Sequence, residues 1–250
     1  MNEGMKKYLI FGDCHLEKMR EVDNSYLLFK EVVKKTRPNV IVCLGDLLDF
    51  GYISHYAELG ETEGKRLSDD INTFKEELMF FKKYSKERAI FLQGNHEDRL
   101  YKLLNKNPVL IGMVDLESIC NQIGVEYVPT VKQPFKLLDD LYVTHGLTFT
   151  KHFCAKLADS VGCSIVQGHT HRTQQFVQTY PDGRIIKSFG LGSLTDTIEY
   201  YEKGKRMTGH SNSFGELILL DNQWQLNTIM IENNKCIMDG KLYTLENVTN

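Results

Sequence analysis

The sequence contains no apolar run long enough to cross a lipid bilayer, although 42% of its residues are hydrophobic. A membrane-spanning helix needs about 20 consecutive apolar residues. We therefore expect no contact with a membrane. Residues 1–7 lead into a strand-like segment and not into the hydrophobic region of a signal peptide, so we expect a cytoplasmic protein.

The sequence also lacks paired cysteine motifs. Its six cysteines form no CxxC pair, and two of them, Cys14 and Cys43, lie in or beside predicted buried strands. Reduced cysteines commonly act as small apolar side chains in proteins of reducing compartments. We therefore interpret the cysteines as structural and do not predict a cysteine nucleophile.

An excess of positive charge is absent, since the formal net charge is −3. This excludes a global attraction to nucleic acid, although local basic patches can still bind it. Basic residues recur along two predicted helices, at Lys75, Lys82, Lys83, Lys86 and Arg88 and then at Arg99, Lys102 and Lys106. Because glutamates are interleaved with the first set, we interpret these residues as solvated helix faces.

No internal repeat or linker divides the chain, so we expect a single domain over residues 1–250. The spacing of apolar residues predicts helices over 24–35, 66–86, 96–105, 116–120 and 153–161. Beyond residue 168 the pattern changes to strands joined by turns, over 173–180, 184–194, 214–220 and 223–231. The polar stretch 51–64 is expected to form a surface loop or a small lid.

Five short polar motifs each follow a short apolar run. The apolar runs are 8–11, 40–44, 89–92, 141–143 and 164–166, and the motifs are GDCH at 12–15, GDLLD at 45–49, GNHE at 94–97, THG at 144–146 and GHTH at 168–171. Runs of this kind predict buried strands whose ends meet at one edge of a sheet. Side chains far apart in sequence should therefore converge in space.

The residue types in these motifs indicate metal chemistry. Histidine, aspartate and asparagine together favour manganese, iron, zinc or nickel over calcium or magnesium alone. A carboxylate at Asp46 could face two metals at once, and a water activated by them could then attack a phosphate. His96 stands beside Asn95 at a predicted helix start, which is a natural anion site, and it could donate a proton to the leaving oxygen.

In this order the motifs resemble those of the calcineurin-like metallophosphoesterase superfamily, whose pattern is DxH, GD, GNH[DE], H and GHxH. The resemblance covers residues 13–171 and implies a four-layer αββα sandwich, an α/β fold with two facing mixed β-sheets. It also implies a role for each motif residue. The implied ligands of the first metal are Asp13, His15 and His171, those of the second are Asn95, His145 and His169, and the implied bridge is Asp46. His96 would be the transition-state stabiliser or general acid.

Two features narrow the implied activity. Protein phosphatases of this superfamily continue the second motif as GDxVDRG, in which the arginine grips the phosphate, whereas residues 45–51 read GDLLDFG and place Phe50 there. The intact GHTH at 168–171 instead resembles the nucleases and the small-molecule or cyclic-nucleotide phosphodiesterases. About 80 residues follow His171, and the core sheets should use most of them, which leaves little for the extra DNA-binding regions of repair nucleases.

We therefore expect a phosphodiesterase that uses two divalent metal ions, most simply manganese, and hydrolyses a nucleotide, cyclic nucleotide or related phosphate ester by metal-bound hydroxide. Three alternatives stay open: a DNA or RNA nuclease, a phosphomonoesterase similar to the protein phosphatases, and a non-catalytic scaffold. The sequence does not determine the oligomeric state.

Several residues outside the seven ligand positions have two interpretations. Tyr52 and Tyr56 could stack on a base or could pack their own loop. His55 and His152 could line the cleft, although for both, and for His210, we prefer a solvated or locally bonded side chain. Asp98 and Arg99 are expected to form a salt bridge at the helix start, and Asp49 could support the loop of Asp46.

Overall fold

The computed structural model describes residues 4–17, 20–54, 63–129, 133–196 and 209–245. A parallel crossover opens the fold. β1 (Lys6–Phe11) leads through α1 (Asn24–Thr36) to β2 (Val40–Cys43), and α2 (Leu67–Tyr84) leads on to β3 (Arg88–Leu92). The three strands pair in parallel. All four residues of β2 are buried, as expected for a strand covered on both faces.

The remaining elements follow in chain order. They are α3 (Asn95–Lys106), α4 (Leu116–Ile123), β4 (Glu126–Val128), β5 (Phe135–Leu138), β6 (Leu141–Thr144), α5 (Phe153–Val161), β7 (Ser164–Gln167), β8 (Gln174–Thr179), β9 (Ile185–Gly190), β10 (Ser213–Leu220), β11 (Gln223–Met230), β12 (Lys235–Met238) and β13 (Lys241–Thr244). Two 3₁₀ turns, Gly51–Ile53 and Pro108–Leu110, lie on either side of α3 in the sequence. Asp115 caps α4 by accepting a hydrogen bond from the backbone N–H of Glu117, at 3.1 Å.

The strands form two large mixed sheets and one small hairpin. The first sheet has the order β11-β10-β1-β2-β3-β4, and the second has the order β5-β6-β7-β9-β8. In the first sheet β10 pairs antiparallel with β1, whereas in the second β6, β7 and β9 run parallel to one another. The C-terminal strands therefore complete the sheet that the N-terminal strand begins.

Two apolar cores hold the layers together. Alternate residues of each strand point to opposite faces, so Ile10 and Val42 face the second sheet, where they share a cluster with Val143 and Val166. Leu9 faces the helices and belongs to the other cluster, which includes residues of α1 and α2. On the outer face of the second sheet, α5 packs against β8 and β9. The expected αββα sandwich with two facing mixed sheets is confirmed.

The predicted helices and strands agree with the structure apart from short elements. β4, β5 and β13 were not predicted because each has only three or four residues and no clear alternation of buried positions. The expected loop over 51–64 begins with the 3₁₀ turn Gly51–Ile53, while residues 55–62, which include His55 and Tyr56, lie outside the described residues. Among the helices of the described ranges, none combines the length and the apolar character that crossing a bilayer requires.

Candidate metal centre

The five motifs lie at the carboxyl ends of β1, β2, β3, β6 and β7, which meet at one edge of the sandwich, and the third motif continues into the start of α3. Five of the predicted ligands occupy the left-handed backbone region, with φ of 55°, 49°, 49°, 66° and 52° for Asp13, His15, Asp46, His169 and His171. This region is unfavourable for residues other than glycine. Because strained backbone of this kind persists only when its surroundings enforce it, it is typical of functional sites.

Glycines allow the motif loops to approach one another. A Cβ atom on Gly94 would lie 2.2 Å from Oδ1 of Asp46 and 2.3 Å from the backbone nitrogen of that residue. Gly45 has φ of +103°, and a Cβ there would lie 2.6 Å from the nitrogen of Gly94. The second and third motifs are therefore in contact through backbone atoms, which places Asp46 against the start of α3.

The first predicted ligand set is brought together. Asp13, His15 and His171 form a buried group whose ligand atoms lie within 4.8 Å of one another. The Nε2 atoms of the two histidines are 3.1 Å apart, and Nε2 of His171 is 3.6 Å from Oδ1 of Asp13. The other oxygen of Asp13 accepts a hydrogen bond from the backbone N–H of His169, at 2.8 Å, so one carboxylate oxygen is fixed and the other points into the group.

The second predicted set is also brought together, and Asp46 joins it. Nε2 of His145 is 2.8 Å from Oδ1 of Asn95, 3.0 Å from Nδ1 of His169 and 3.2 Å from Oδ2 of Asp46. The other ring nitrogen of His145, Nδ1, donates a hydrogen bond to the backbone oxygen of Leu44 at 2.9 Å. That bond fixes the ring so that Nε2 faces the other three atoms.

The donor atoms of both groups fit a pair of cations. Three acceptors surround Nε2 of His145, and a single proton on that nitrogen could satisfy only one of them, whereas a central cation is shared by all. In the first group, Oδ1 of Asp13 is buried and has no hydrogen-bond partner among the described residues. Buried polar atoms without partners are costly, so an ion that binds them is favoured. The mixture of imidazole nitrogen and carboxylate oxygen suits divalent transition metals.

The pKa values of the second group also agree with a bound cation. Burial lowers the pKa of His145, but the charge of Asp46 outweighs this effect and raises that pKa to about 9. Burial and the neighbouring His145 lower the pKa of His169 to about 4. Burial opposes ionisation of Asp46 itself, but His145 and His96 hold its pKa well below the ordinary value. The group is thus an ionised carboxylate with one protonated and one neutral imidazole, and a metal ion would displace the proton.

His96 lies next to the two groups but is bonded at both ring nitrogens. Nδ1 donates to the backbone oxygen of Asp49 at 2.6 Å, and Nη2 of Arg99 donates to Nε2 at 2.9 Å. Oδ1 of Asp49 is 3.1 Å from the same Nδ1 and 3.7 Å from Nδ1 of His15. His15, Asp49 and His96 therefore form a third ligand-like group. Because a cationic guanidinium donates to Nε2 and Nδ1 faces a backbone oxygen, neither ring nitrogen of His96 is open to a metal ion in this structure.

Asp98 forms a salt bridge at the start of α3, as expected, and its partner is Lys102 one turn along the helix, at 2.7 Å. The guanidinium of Arg99 instead donates to the backbone oxygen of Asp49 at 2.9 Å as well as to Nε2 of His96. Arg99 therefore joins two motifs across the fold.

Glu97 is a positioning residue that the sequence analysis did not identify. Its fully buried carboxylate accepts hydrogen bonds from four backbone N–H groups, those of Gly94, Asp46, Leu47 and Leu48, at 2.9, 2.9, 3.0 and 3.2 Å. These bonds fix the loop that carries Asp46. Glu97 stands three residues after Gly94, which directly precedes α3. A glutamate at this position of a helix is a known capping pattern, so the signal was available in the sequence.

Phe149 is a second residue that the sequence analysis missed. Its side chain is 60% exposed, and its ring lies 4.6 Å from the ring of His169. No motif marks it. Tyr52, which was a stacking candidate, has a buried hydroxyl, and the ammonium of Lys65 lies over its ring.

The other histidines outside the motifs differ in position. His152 precedes α5 and is exposed. His210 is bonded locally, with Nε2 3.3 Å from Oγ of Ser193 and 3.2 Å from the backbone oxygen of Thr195, but its ring also lies 5.8 Å from that of His171. Locally bonded and solvated side chains were the preferred interpretation for these two residues.

Comparisons with known proteins agree with the fold and with the class of protein. The family model for the calcineurin-like phosphoesterases matches residues 6–173, about two thirds of the sequence. The chain therefore belongs to the calcineurin-like phosphoesterase family. As a member with candidate metal-binding groups at the family's motifs, it is a metallophosphoesterase whose substrate is a phosphate ester. No curated protein sequence matches it significantly.

The solved structures that resemble this chain have very different sequences. Vacuolar Protein Sorting 29 from Cryptosporidium parvum is 15% identical, has a TM-score of 0.52, and the match covers 96% of this chain and 95% of that one. A single mutant of Vps29 from Entamoeba histolytica is 12% identical with a TM-score of 0.46, over 94% and 95% of the two chains. A dimetal phosphatase from Danio rerio is 11% identical with a TM-score of 0.45, over 90% and 96%. The first shows the shared fold, and the other two are too distant to support more.

Proposed function

We propose that the protein is a dinuclear metal-dependent phosphodiesterase that acts on a nucleotide-like phosphate ester. The observation that supports this most directly is the convergence of ligand-type side chains from five loops into two groups. The proposed ligands are Asp13, His15, Asp46, Asn95, His145, His169 and His171. We propose manganese as the metal, with iron, zinc or nickel as alternatives.

Two divalent ions held there would lower the pKa of a coordinated water and neutralise charge on the phosphate. The chain itself positions the reacting groups. Glu97 holds the loop of Asp46, and Asp49 orients the ring of His96. We assign His96 to the leaving oxygen, to which Nε2 would donate a proton or hydrogen bond. Because a guanidinium only donates, Arg99 must release Nε2 before His96 can act in this way.

The preference for diesters rests on the second motif. Phe50, which stands where protein phosphatases have their phosphate-binding arginine, is fully buried with φ of 49°. Its side chain cannot reach a substrate. A monoester carries one more negative charge than a diester and gains more from such an arginine.

The preference for a nucleotide-like substrate rests on Phe149. An exposed phenylalanine is costly in water, and this one stands against the ring of a proposed metal ligand. Aromatic side chains at such positions stack on bases at about 1–3 kcal/mol per base. A nuclease is the alternative within the enzymes, and the basic side chains of α3 favour it.

We also propose that residues 1–250 form one domain, because β10 and β11 extend the sheet that begins with β1. A cytoplasmic location is supported by the six cysteines, all of which are unpaired.

The function is tested with bis(p-nitrophenyl) phosphate in Mn²⁺. The parent protein should hydrolyse it and hold two metal ions per chain. Asp46→Asn should lose metal and at least about 100-fold in kcat/KM, and His96→Ala should retain metal but lose about 100-fold in kcat. The matched control is Asp159→Asn, an exposed carboxylate of α5, which should behave as the parent.

Each contrary result has a distinct meaning. A parent protein without two tightly bound ions would support the scaffold interpretation. Faster hydrolysis of p-nitrophenyl phosphate than of the diester would support a phosphomonoesterase. An Asp46→Asn protein as active as the parent would contradict the proposed site altogether.

A further inference from the structure

A groove of about 310 Å³ lies beside His96, between the 3₁₀ turn Gly51–Ile53 and α3. Its lining residues are Ile53, Ser54, Arg99, Lys102, Leu103 and Lys106. Three of these six side chains carry a positive charge and none carries a negative charge. The whole chain has a net charge of −3, so the concentration of positive charge in this groove is a local feature.

The three cations lie on one face of α3 because their spacing follows the helical repeat. Arg99 and Lys106 are seven residues apart, about 10 Å along the helix axis. Leu103, between them, gives the groove an apolar wall together with Ile53. This face begins at the metal centre and leads away from it.

Arg99 joins the groove to the site. Its guanidinium contacts both Nε2 of His96 and the backbone oxygen of Asp49, the residue before Phe50. A guanidinium therefore stands next to the second motif although that motif contains no arginine. It is supplied by α3, and it lies on the side of His96, where the leaving group is expected.

The lysines are available for a ligand. Lys102 is 68% exposed and is paired with Asp98, a surface contact that stabilises little and that an incoming phosphate can replace. Lys106 is exposed, and among the described residues it has no ion-pair partner within 4.0 Å. Exposed ammonium groups beside an apolar wall bind phosphate oxygens as mobile point charges.

We propose that this groove is an anion subsite that binds a second phosphate, carried by the leaving group of the substrate. This inference rests on the proposed function, because it takes His96 to mark the leaving-group side. It narrows the substrate class to diesters whose leaving group has its own phosphate, as in an oligonucleotide. A phosphate in the groove would also draw the guanidinium of Arg99 away from His96.

The test compares the binding of three small probes to the metal-loaded protein by calorimetry. Thymidine 3′,5′-bisphosphate can place one phosphate at the metal centre and the other in the groove, whereas thymidine 5′-monophosphate and thymidine 3′-monophosphate each have only one. We expect the bisphosphate to bind the parent protein at least about tenfold more tightly than either monophosphate. The double variant Lys102→Ala, Lys106→Ala should bind all three probes about equally.

The matched control is the double variant Lys34→Ala, Lys35→Ala. It removes the same charge from exposed positions at the end of α1, and Lys34 is paired with Glu31 as Lys102 is paired with Asp98. It should keep the preference for the bisphosphate. Hydrolysis of bis(p-nitrophenyl) phosphate, whose leaving group has no phosphate, should be the same in the parent and both variants.

Three results would overturn the subsite: equal binding of the three probes by the parent, an unchanged preference in the α3 variant, or the same loss in the α1 variant.

The two proposals can fail separately. A bisphosphate preference that depends on Lys102 and Lys106, in a protein that does not hydrolyse the diester, would support the subsite and contradict the phosphodiesterase. Diester hydrolysis without a preference for the bisphosphate would support the phosphodiesterase and contradict the subsite. If the subsite is present, steeper salt dependence for an oligothymidylate than for the bisphosphate would identify nucleic acid as the source of the phosphate.

Discussion

The ring of His96 is held between a backbone oxygen and a guanidinium. Although burial lowers it, the carboxylates of Asp46 and Asp49 raise the pKa of His96, which favours a proton on both nitrogens. The hydrogen bond from Arg99 requires an Nε2 without one. A proton on Nε2 and the hydrogen bond from Arg99 therefore exclude each other at the same nitrogen.

Phe149 provides a prediction at the same scale. Phe149→Ala should raise KM about tenfold for a thymidine phosphodiester, because removing the ring removes about 1–3 kcal/mol of stacking on the base. KM for glycerophosphocholine, which has no base, should be unchanged. Steady-state kinetics with both substrates measures this. Phe149→Tyr, which retains the ring, serves as the control. Equal increases for both substrates would show that the ring only supports His169 and does not contact a base.

At the scale of elements, the start of α3 is tied to the loop after β2. Four backbone N–H groups converge on the carboxylate of Glu97, three of them from that loop. Burial and the charge of Asp46 raise the pKa of Glu97 to about 7, whereas the N–H donors favour its ionised form. A cation beside Asp46 would strengthen this arrangement because it offsets the charge of that residue.

Glu97→Gln should therefore destabilise the protein by about 3 kcal/mol. The amide has one acceptor oxygen where the carboxylate has two, and its NH₂ group would face backbone donors. Urea unfolding at pH 7.5 with metal present measures the free energy. Glu117→Gln, an exposed residue in the first turn of α4, is the matched control and should change it by less than about 0.5 kcal/mol. A loss for Glu97→Gln as small as that of the control would exclude the proposed role of Glu97.

Across the whole molecule, the metal centre joins loops from both sheets. An ion bound by Asp13, His15 and His171, or by Asp46, His145 and His169, would cross-link the two layers in the native state. Ligands that bind only the native state stabilise it in proportion to the logarithm of their concentration. The thermal stability of the protein should therefore depend on metal.

Mn²⁺ at about 100 times its Kd should stabilise the parent by about 2.7 kcal/mol and raise Tm by about 5–10 °C relative to EDTA. Differential scanning calorimetry measures the shift. Asp46→Asn should lose most of it, while Asp159→Asn should retain it. A parent Tm that does not respond to metal would contradict the centre, and two well-separated transitions would contradict a single domain over residues 1–250.

Much of the fold, and the convergence of the candidate ligands at one edge of the sheets, could be predicted because the relevant signals are local. A short apolar run followed by glycine and a ligand residue marks a strand end, and the helical period of 24–35 or 153–161 can be counted directly. Strand pairing is not local. β8–β9 and β10–β11 have the same hairpin pattern, yet they belong to different sheets. Only the packing of the apolar faces of the two sheets decides which sheet each hairpin joins.

The sequence by itself determined which chemistry-bearing residues stand at strand ends, because alternation and turn residues act over a few positions. The tertiary structure decided which of these atoms face one another. The contact of Arg99 with His96, the four donors of Glu97 and the position of Phe149 against His169 all depend on how the two sheets and α3 pack. Hydrogen bonds and charges act over a few ångströms, and only the packed sandwich brings residues so distant in sequence that close.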